Sequence, residues 1–298
     1  MDIINFGSLN LDYVYNVDHF VNPGETLASE NLAVFCGGKG LNQSIAAARA
    51  GAHVIHAGVI GESGDILYDE LQNSGVDTSF LQHTPEKQGH AVIQISKNGD
   101  NCILLFRGSN FQITVNYIDH VFSKISPPAY IVLQNEISNV PYIIQRAFDL
   151  GFSVVLNASP IDSELLSADL NFVKWLMINE IEGKQITGKD SSDEILQALS
   201  EKYPRLGVVL TLGKKGAICV NGTQRVQHGI YHVPVVDTTA AGDTFTGFFI
   251  SALALGKSLE KAVSEASVAS SIAVSRKGAA PSIPTISEVT SANLAIQE

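Results

Sequence analysis

The chain has 298 residues, of which 45% are hydrophobic, and a net charge of −11. This length and apolar content predict one or two domains, and a single domain over 1–298 fits them. The acidic charge argues against nucleic-acid binding, which needs a basic face. The cysteines (Cys36, Cys102 and Cys219) lie far apart, which indicates a reducing compartment rather than a disulfide framework. Without a signal-peptide pattern or an apolar run of about 18 residues, we expect a cytoplasmic protein.

Short apolar runs alternate with helical periodicity along the chain. Strands are predicted at Asp2–Gly7, Val54–Ile60, Tyr130–Leu133, Val154–Leu156, Val173–Ile178 and Val208–Leu212, and helices at Leu41–Ala50 and Ile66–Asn73. Strands that alternate with helices form a mostly parallel sheet that is covered on both faces. We therefore predict an α/β fold, with ligands bound beyond the carboxyl ends of the strands.

Several extended segments interrupt this alternation. Asp12–Val17 and Leu27–Phe35 lie near the N-terminus, and a hairpin signal at Asn98-Gly99-Asp100 separates Gly89–Ser96 from Cys102–Arg107. We interpret the segments near 12–17, 27–35 and 89–107 as a small separate sheet that forms a lid over the main domain.

The most informative stretch is DTTAAGDTF, from Asp237 to Phe245. Small residues lead into an apolar helical pattern, which places free backbone N–H groups at a helix N-terminus, where an anion is favoured. Gly242 lacks the Cβ that would keep a phosphate away. Asp243, in the first turn, can accept a proton from a nearby hydroxyl, as phosphoryl transfer to an alcohol requires. The alternative is that Asp243 only caps the helix.

A glycine-rich loop, Gly37-Gly38-Lys39-Gly40, precedes the first predicted helix. It fails the Walker pattern because Gly40 follows the lysine. The glycines either let the backbone approach a small ligand, to which Lys39 and Asn42 bind, or only form a tight loop.

Two pairs of polar residues follow predicted strands. Asn10 and Asp12 share one face of an extended chain and suit a polyol, although an Asx-rich turn is the alternative. Asn179 and Glu182 form either a capping box or a site where the carboxylate holds Mg²⁺ waters against phosphate. The histidines, by contrast, have no spacing that suits zinc.

The order of these motifs resembles the ribokinase family of phosphofructokinase-B type carbohydrate kinases. The matching pieces are GSLNLD (7–12), NPGET (22–26), GGKGLNQ (37–43), NE (135–136), NASP (157–160), NEIE (179–182), LTLGKKG (210–216), VDTTAAGDTFTG (236–247) and AVSRKGAAPSIP (273–284). They follow one another over nearly the whole chain.

The resemblance implies a Rossmann-type three-layer sandwich with a β-sheet lid, which often pairs with the lid of a second subunit in a homodimer. It implies that Asp243 is the catalytic base, and that the N–H groups of Ala241, Gly242 and Asp243 form an anion hole. The residues that it implies for the sugar site are Asn10, Asp12, Gly38, Lys39, Asn42 and Glu136.

The resemblance also implies ATP, Mg²⁺ that arrives with ATP, and a monovalent cation, K⁺. Its nucleotide positions are Asn179, Thr211, Gly213, Lys215, Gly216 and, on the adenine side, Ser267. Its cation positions are Asp237, Thr239, Ala273, Arg276, Gly278 and Ser282, mostly through backbone oxygens.

The expected acceptor is the 5-hydroxyl of D-ribose, with fructose, deoxyribose and nucleosides left open. The second lid hairpin carries His90, Phe106 and Arg107 where the family typically has other residues. An aromatic or guanidinium group at a sugar pocket changes discrimination by on the order of a few kcal/mol. A hypothesis of another class is a non-catalytic regulator that binds sugar or nucleotide.

Overall fold

The computed structural model describes residues 1–296, which form a nine-stranded sheet, a separate four-stranded sheet and helices. The strands are β1 (Asp2–Phe6), β2 (Asn10–Asn16), β3 (Asn31–Gly37), β4 (Val54–Glu62), β5 (Asp77–Lys87), β6 (His90–Ile95), β7 (Asn101–Phe106), β8 (Ala129–Gln134), β9 (Ser153–Asn157), β10 (Val173–Asn179), β11 (Gly207–Thr211), β12 (Ala217–Asn221) and β13 (Gln224–His228). The α-helices are α1 (Lys39–Arg49), α2 (Asp65–Asn73), α3 (Val115–Phe122), α4 (Val140–Asp149), α5 (Glu180–Thr187), α6 (Ser192–Lys202), α7 (Ala241–Ala254), α8 (Leu259–Val274) and α9 (Ile286–Ser291).

The large sheet confirms the predicted α/β class. Its strand order is β13-β12-β11-β10-β9-β8-β1-β4-β5, parallel from β11 to β5, with an antiparallel hairpin, β12–β13, at one edge. Every residue of β8 is buried, because helices cover both faces of a parallel sheet. Separate apolar cores lie on the two faces, which gives the three layers.

Helix α7 runs through one of these cores between α1 and α8. It is apolar and buried almost all round, as a core helix must be. Gly247 lets α1 approach, since a Cβ there would lie 2.4 Å from Cβ of Ala46. Burial of Phe248 and Phe249, on the order of 1.5–3 kcal/mol each, holds the helix in place. This packing fixes the position of α7, whose first turn carries Asp243.

The four-stranded sheet, which we call the lid, has the order β3-β2-β6-β7. The hairpin β6–β7 forms as predicted, whereas β3 starts at Asn31, later than the predicted Leu27. Asp12 pairs with Ala91 of β6, and Ala91 pairs with Leu105 of β7, so these residues share one face. The lid is thus a continuous sheet with two distinct faces.

The sequence reasoning missed the edge strand β5. Its sequence DTSFLQHTPEK is mostly polar and contains Pro85, and none of its residues is fully buried. Proline has no N–H to donate, and it is tolerated at a sheet edge because no second strand lies there to accept one. Within residues 1–296, every helix is too short or too polar to cross a bilayer.

Candidate active site

A cavity of ≈ 250 Å³ opens at the carboxyl edge of the large sheet. Asn157, Asn179 and Thr211, the last residues of β9, β10 and β11, lie along it, as expected for a ligand site in a parallel sheet. Its other lining residues are Lys39, Ser159, Met177, Ile178, Glu182, Thr238, Ala240, Ala241, Gly242, Asp243 and Thr246. The N-terminus of α7 therefore faces the strand ends across this cavity.

The turn before α7 is tightly specified. Ala240 adopts a left-handed conformation, φ 59°, which costs an alanine about 1 kcal/mol or more. The Ala241 N–H donates to Thr238 O at 3.3 Å, and the N–H groups of Gly242 and Asp243 have no acceptor among residues 1–296. The sequence placed three N–H groups in the anion hole. In the structure the turn uses the N–H of Ala241, which leaves those of Gly242 and Asp243 as the candidates for binding an anion.

Gly242 lies on the open side of this turn. A Cβ built on it would meet no heavy atom of residues 1–296 within 4 Å, so the glycine borders free space rather than packed protein. Gly242 is therefore not needed for packing, and the space beside it can admit a group as large as a phosphate.

Asp243 is buried, with 7% of its surface exposed. Its Oδ2 accepts from Asn42 Nδ2 at 3.0 Å and its Oδ1 from Gln43 Nε2 at 2.9 Å. Burial raises its pKa; Lys39 and the two amides oppose that rise, and Glu136 adds to it. The N-cap of α7 is Ala240, without any side-chain cap, so Asp243 does not serve as the cap. It is a buried carboxylate at a cavity, suited to accept a proton.

A second group of charges surrounds Lys39. Its Nζ lies 3.7 Å from Oε1 of Glu136, whose Oε2 accepts from Ser8 Oγ at 2.6 Å and from Lys39 N at 3.0 Å. Burial, Glu136 and Asp243 raise the pKa of Asp12 to about 7, although Lys39 lowers it. The carboxyl groups of Asp12 and Glu136 can each accept a hydrogen bond from a hydroxyl of a polyol.

The glycine-rich loop is tight because of its packing. A Cβ on Gly40 would lie 2.2 Å from Ser8 N, and one on Gly37 would lie 2.1 Å from Asp12 Oδ2. Gly38 has φ 93°, which favours glycine. The tight loop and the ligand-loop interpretations are therefore compatible, because the packing brings Lys39 and Asn42 to Asp243.

Asn10 is held by a residue that the sequence reasoning missed. Its Oδ1 accepts from Asn110 Nδ2 at 2.7 Å, and Asn110 Oδ1 accepts from Leu9 N at 2.8 Å. Asn110 lies in a short 3₁₀ turn, where no local pattern signals a partner 100 residues away. The amide of Asn10 is thereby fixed next to Asp12.

Asn179 and Glu182 form the capping box that was one of the two interpretations. Glu182 N donates to Asn179 Oδ1 at 2.9 Å, and Asn179 N donates to Glu182 Oε2 at 2.8 Å. Both residues also line the cavity, so the box fixes polar groups at its wall.

The remaining nucleotide candidates lie outside the cavity lining, apart from Thr211. Gly213 and Lys215 belong to a short 3₁₀ turn after β11, and Gly216 ends it with φ 86°. Ser267 is buried on α8, and its Oγ has no hydrogen-bond partner among the described residues.

The cation candidates lie on two segments, 237–239 and 273–282, which are connected by a hydrogen bond to Asp237. Its Oδ1 accepts from Thr239 N at 2.9 Å and its Oδ2 from Gly278 N at 3.0 Å. Burial raises the pKa of Asp237, but hydrogen bonds from Thr239 and Gly278 outweigh burial and hold that pKa below its ordinary value. Arg276 pairs with Glu288 at 2.6 Å, and Ser282 Oγ donates to Ala279 O at 2.7 Å. These two side chains are therefore directed to other partners. Ala273 is fully buried at the end of α8.

Two of the three lid departures, His90 and Phe106, lie on the lid face opposite Asp12. His90 pairs with Leu11 and Phe106, on the face opposite Asp12, and its ring contacts Tyr13. Arg107 stacks on Phe111 and lies 3.7 Å from Asp162. His90 and Phe106 therefore face away from the sugar candidates.

The sequence pattern described as pfkB family carbohydrate kinase matches residues 2–286 of the chain. The chain belongs to this family. A pfkB carbohydrate kinase is a phosphotransferase with an alcohol group as acceptor, so this protein is an enzyme of that class.

Relatives of this pfkB kinase cover nearly its whole length. It is 36% identical to a ribokinase of Haemophilus influenzae over 95% of both chains, and 30% identical to a deoxyribokinase of Salmonella typhi over 97% of both. It is also similar to the structure of Arabidopsis thaliana ribokinase complexed with ribose and ATP, with a TM-score of 0.84 and 29% identity over 97% of each chain.

Proposed function

We propose that this enzyme transfers the γ-phosphoryl group of ATP to the 5-hydroxyl of D-ribose. The observation that carries the proposal is the position of Asp243, a buried carboxylate beside the free N–H groups of α7 and the cavity. A proton acceptor next to an anion site is what phosphoryl transfer to an alcohol needs.

In this mechanism Asp243 takes the proton of the attacking hydroxyl. The N–H groups of Gly242 and Asp243, at the positive end of the helix dipole, stabilise the charge on the transferring group. Asn42 Oδ1 is buried without a partner in the described part of the chain, and a sugar hydroxyl would satisfy it. Asp12, Lys39 and Glu136, with Gly38 and Asn10, would bind the other hydroxyls.

We propose that Asn179, Glu182 and Thr211 contact the phosphate side of ATP, and that Gly213, Lys215, Gly216 and Ser267 lie toward its base. Mg²⁺ that is bound to ATP would neutralise phosphate charge. The walls of the cavity offer carboxylate, amide and hydroxyl oxygens, which suit this ion.

We propose that K⁺ binds where Asp237 joins the two segments described above. Its pKa lies below the ordinary value, so it is ionised, and two hydrogen bonds leave lone pairs on both oxygens. The further oxygens would come from Thr239, Ala273, Arg276, Gly278 and Ser282. This set suits a hard cation, and bound K⁺ would hold the turn before α7.

We propose, finally, a homodimer in which each lid covers the other. Ile103 and Leu105 share a face with Ala91 and Asp12, and both are exposed although hydrophobic. An apolar face next to the sugar candidates suits a partner lid that closes the site.

Ribose is favoured as the acceptor by the Haemophilus influenzae and Arabidopsis thaliana relatives, and deoxyribose by the Salmonella typhi relative. A panel of ribose, 2-deoxyribose, fructose and adenosine, ranked by kcat/KM for ADP release, separates these acceptors. Ribose should rank first. If another acceptor ranks above it, the ribose assignment falls while the kinase chemistry stands.

A further inference from the structure

A chain of buried polar side chains lies behind Asp243. Gln43, Gln134, Asn5, Ser44 and His56 are each at most 2% exposed. Burying so many polar groups is costly unless they are paired. Within residues 1–296 their side-chain polar atoms are paired except Oε1 of Gln134, and the mechanism above does not use these side chains.

The hydrogen bonds form an unbroken path from the carboxylate. Gln43 donates to Asp243, and Gln134 Nε2 donates both to Gln43 Oε1 at 2.8 Å and to Asn5 Oδ1 at 3.0 Å. Asn5 Nδ2 donates to Ser44 Oγ and to Gly40 O, both at 2.8 Å. The path therefore links α7 to α1, β8 and β1.

The direction of every donor follows from the two ends. A carboxylate only accepts, so Gln43 must present its NH₂ to Asp243 and its carbonyl oxygen to Gln134. Ser44 Oγ accepts from Asn5 and so donates to His56 Nδ1 at 2.8 Å, while His56 Nε2 donates to Gly7 O at 3.2 Å. Burial lowers the pKa of His56 to about 4, which agrees with a neutral ring.

The two ends of this path lie on the elements that carry the reaction. One end is Asp243. The other end reaches the backbone oxygens of Gly7 and Gly40. Gly7 precedes Ser8 and Gly40 follows Lys39, and these two residues donate hydrogen bonds to Glu136. Displacing Gln43 would leave Gln134 with an unpaired buried donor, so the packing strongly favours one position of the Gln43 amide.

We infer that Gln43, supported by Gln134, is a positioning residue that orients the carboxylate of Asp243 for proton transfer. The inference rests on the proposed role of Asp243 as the base. Both polar ends of the Gln43 amide are already used, by Asp243 and by Gln134, so Gln43 acts through Asp243. Because its amide bonds the ionised form, it also opposes the effect of burial. The other charges that face Asp243 are Lys39, Glu136 and Asp12.

The first test compares wild type with Gln43→Met, a side chain of similar size without polar atoms. We expect kcat to fall ~10- to 100-fold with little change in sugar KM, and the acidic limb of the kcat profile to move to higher pH. Gln88→Met is the matched control, because Gln88 is an equally buried glutamine that bonds Leu9 O and Gly61 N instead. This variant should leave the acidic limb in place.

A double-mutant cycle separates positioning from general structural support. In an Asp243→Asn background, Gln43→Met should change the residual kcat less than twofold if it acts through Asp243. The inference is wrong if Gln43→Met lowers kcat by the same factor in both backgrounds. It is also wrong if the folded Gln43→Met single variant keeps the wild-type kcat. If Gln43→Met does not fold, Gln134→Met, which keeps the amide at Asp243 but removes its support, replaces it.

A third readout needs no acceptor and so remains valid if ribose is the wrong sugar. The ¹³C carboxyl resonance of Asp243 should titrate at higher pH in Gln43→Met than in wild type. If both titrate alike, the inference fails, whereas failure of the ribose assay alone overturns only the acceptor.

Discussion

Asn42 donates its side-chain amide to Oδ2 of Asp243 across 3.0 Å, while its own Oδ1 is buried without a partner among residues 1–296. An unsatisfied buried acceptor costs about 1–3 kcal/mol, and a ligand hydroxyl beside Asp243 would recover that energy. Under the proposed function, the amide on α1 and the carboxylate on α7 would therefore meet the attacking hydroxyl.

Replacing Asn42 with leucine removes both interactions. We expect Asn42→Leu to raise KM for the sugar about 10-fold or more and to leave KM for ATP within about twofold, because the proposed sugar hydroxyl would lose its acceptor. Steady-state kinetics with each substrate varied in turn measures both constants. Equal rises in both KM values would contradict this position for the hydroxyl.

Gly242→Ala tests the anion site separately from folding. The added Cβ meets no atom of the described residues within 4 Å, so the melting temperature should stay within about 1 °C of wild type. Turnover should fall ~10- to 100-fold, because the methyl group displaces the transferring phosphate from the N–H groups. Thermal unfolding and kcat on the same preparation provide the check, and full activity would exclude an anion site here.

Two neighbouring lid residues form a matched pair for the proposed dimer. Ile103 is 57% exposed on the Asp12 face, and Leu104 is 71% exposed on the opposite face. Ile103→Glu should give a monomer with a raised sugar KM, whereas Leu104→Glu should remain dimeric despite its greater exposure. Sedimentation of wild type and both variants decides this, and a monomeric wild type would refute the dimer.

Asp12→Asn should stabilise the protein at high pH. The folded pKa of Asp12, about 7, lies above the ordinary 3.8, so the folded state binds the proton more tightly. The contribution of Asp12 to stability therefore falls as pH rises from about 4 to 7. The melting temperature of Asp12→Asn relative to wild type should be higher at pH 8 than at pH 4. Asp69→Asn, at an exposed position on α2, should show no such difference.

The sequence could predict those parts of the structure that local patterns control. The buried parallel strands, the hairpin β6–β7 and the position of Asp243 in the first turn of α7 follow from apolar runs, turn residues and a Gly-Asp pair. Each of these signals lies within a few neighbouring residues, where propensity and periodicity act directly.

The remaining features depend on contacts between distant residues. Gln43 meets Gln134 across 91 positions, and no spacing in the sequence reports such a pair. The face of His90 depends on register, in which a shift of one residue exchanges the two faces of a strand. The N–H of Ala241 lies at a helix N-terminus, where the sequence predicts a free donor, but the turn before α7 directs it to Thr238 O.

The most direct test of the central claim is the turnover of Asp243→Asn. Ribose-dependent ADP release should fall on the order of 10²- to 10⁴-fold, while ribose binding by calorimetry should change only a few-fold. Asp65→Asn, in the first turn of α2 and exposed, should keep full activity. Turnover of Asp243→Asn within about twofold of wild type would contradict the role of Asp243 as the base.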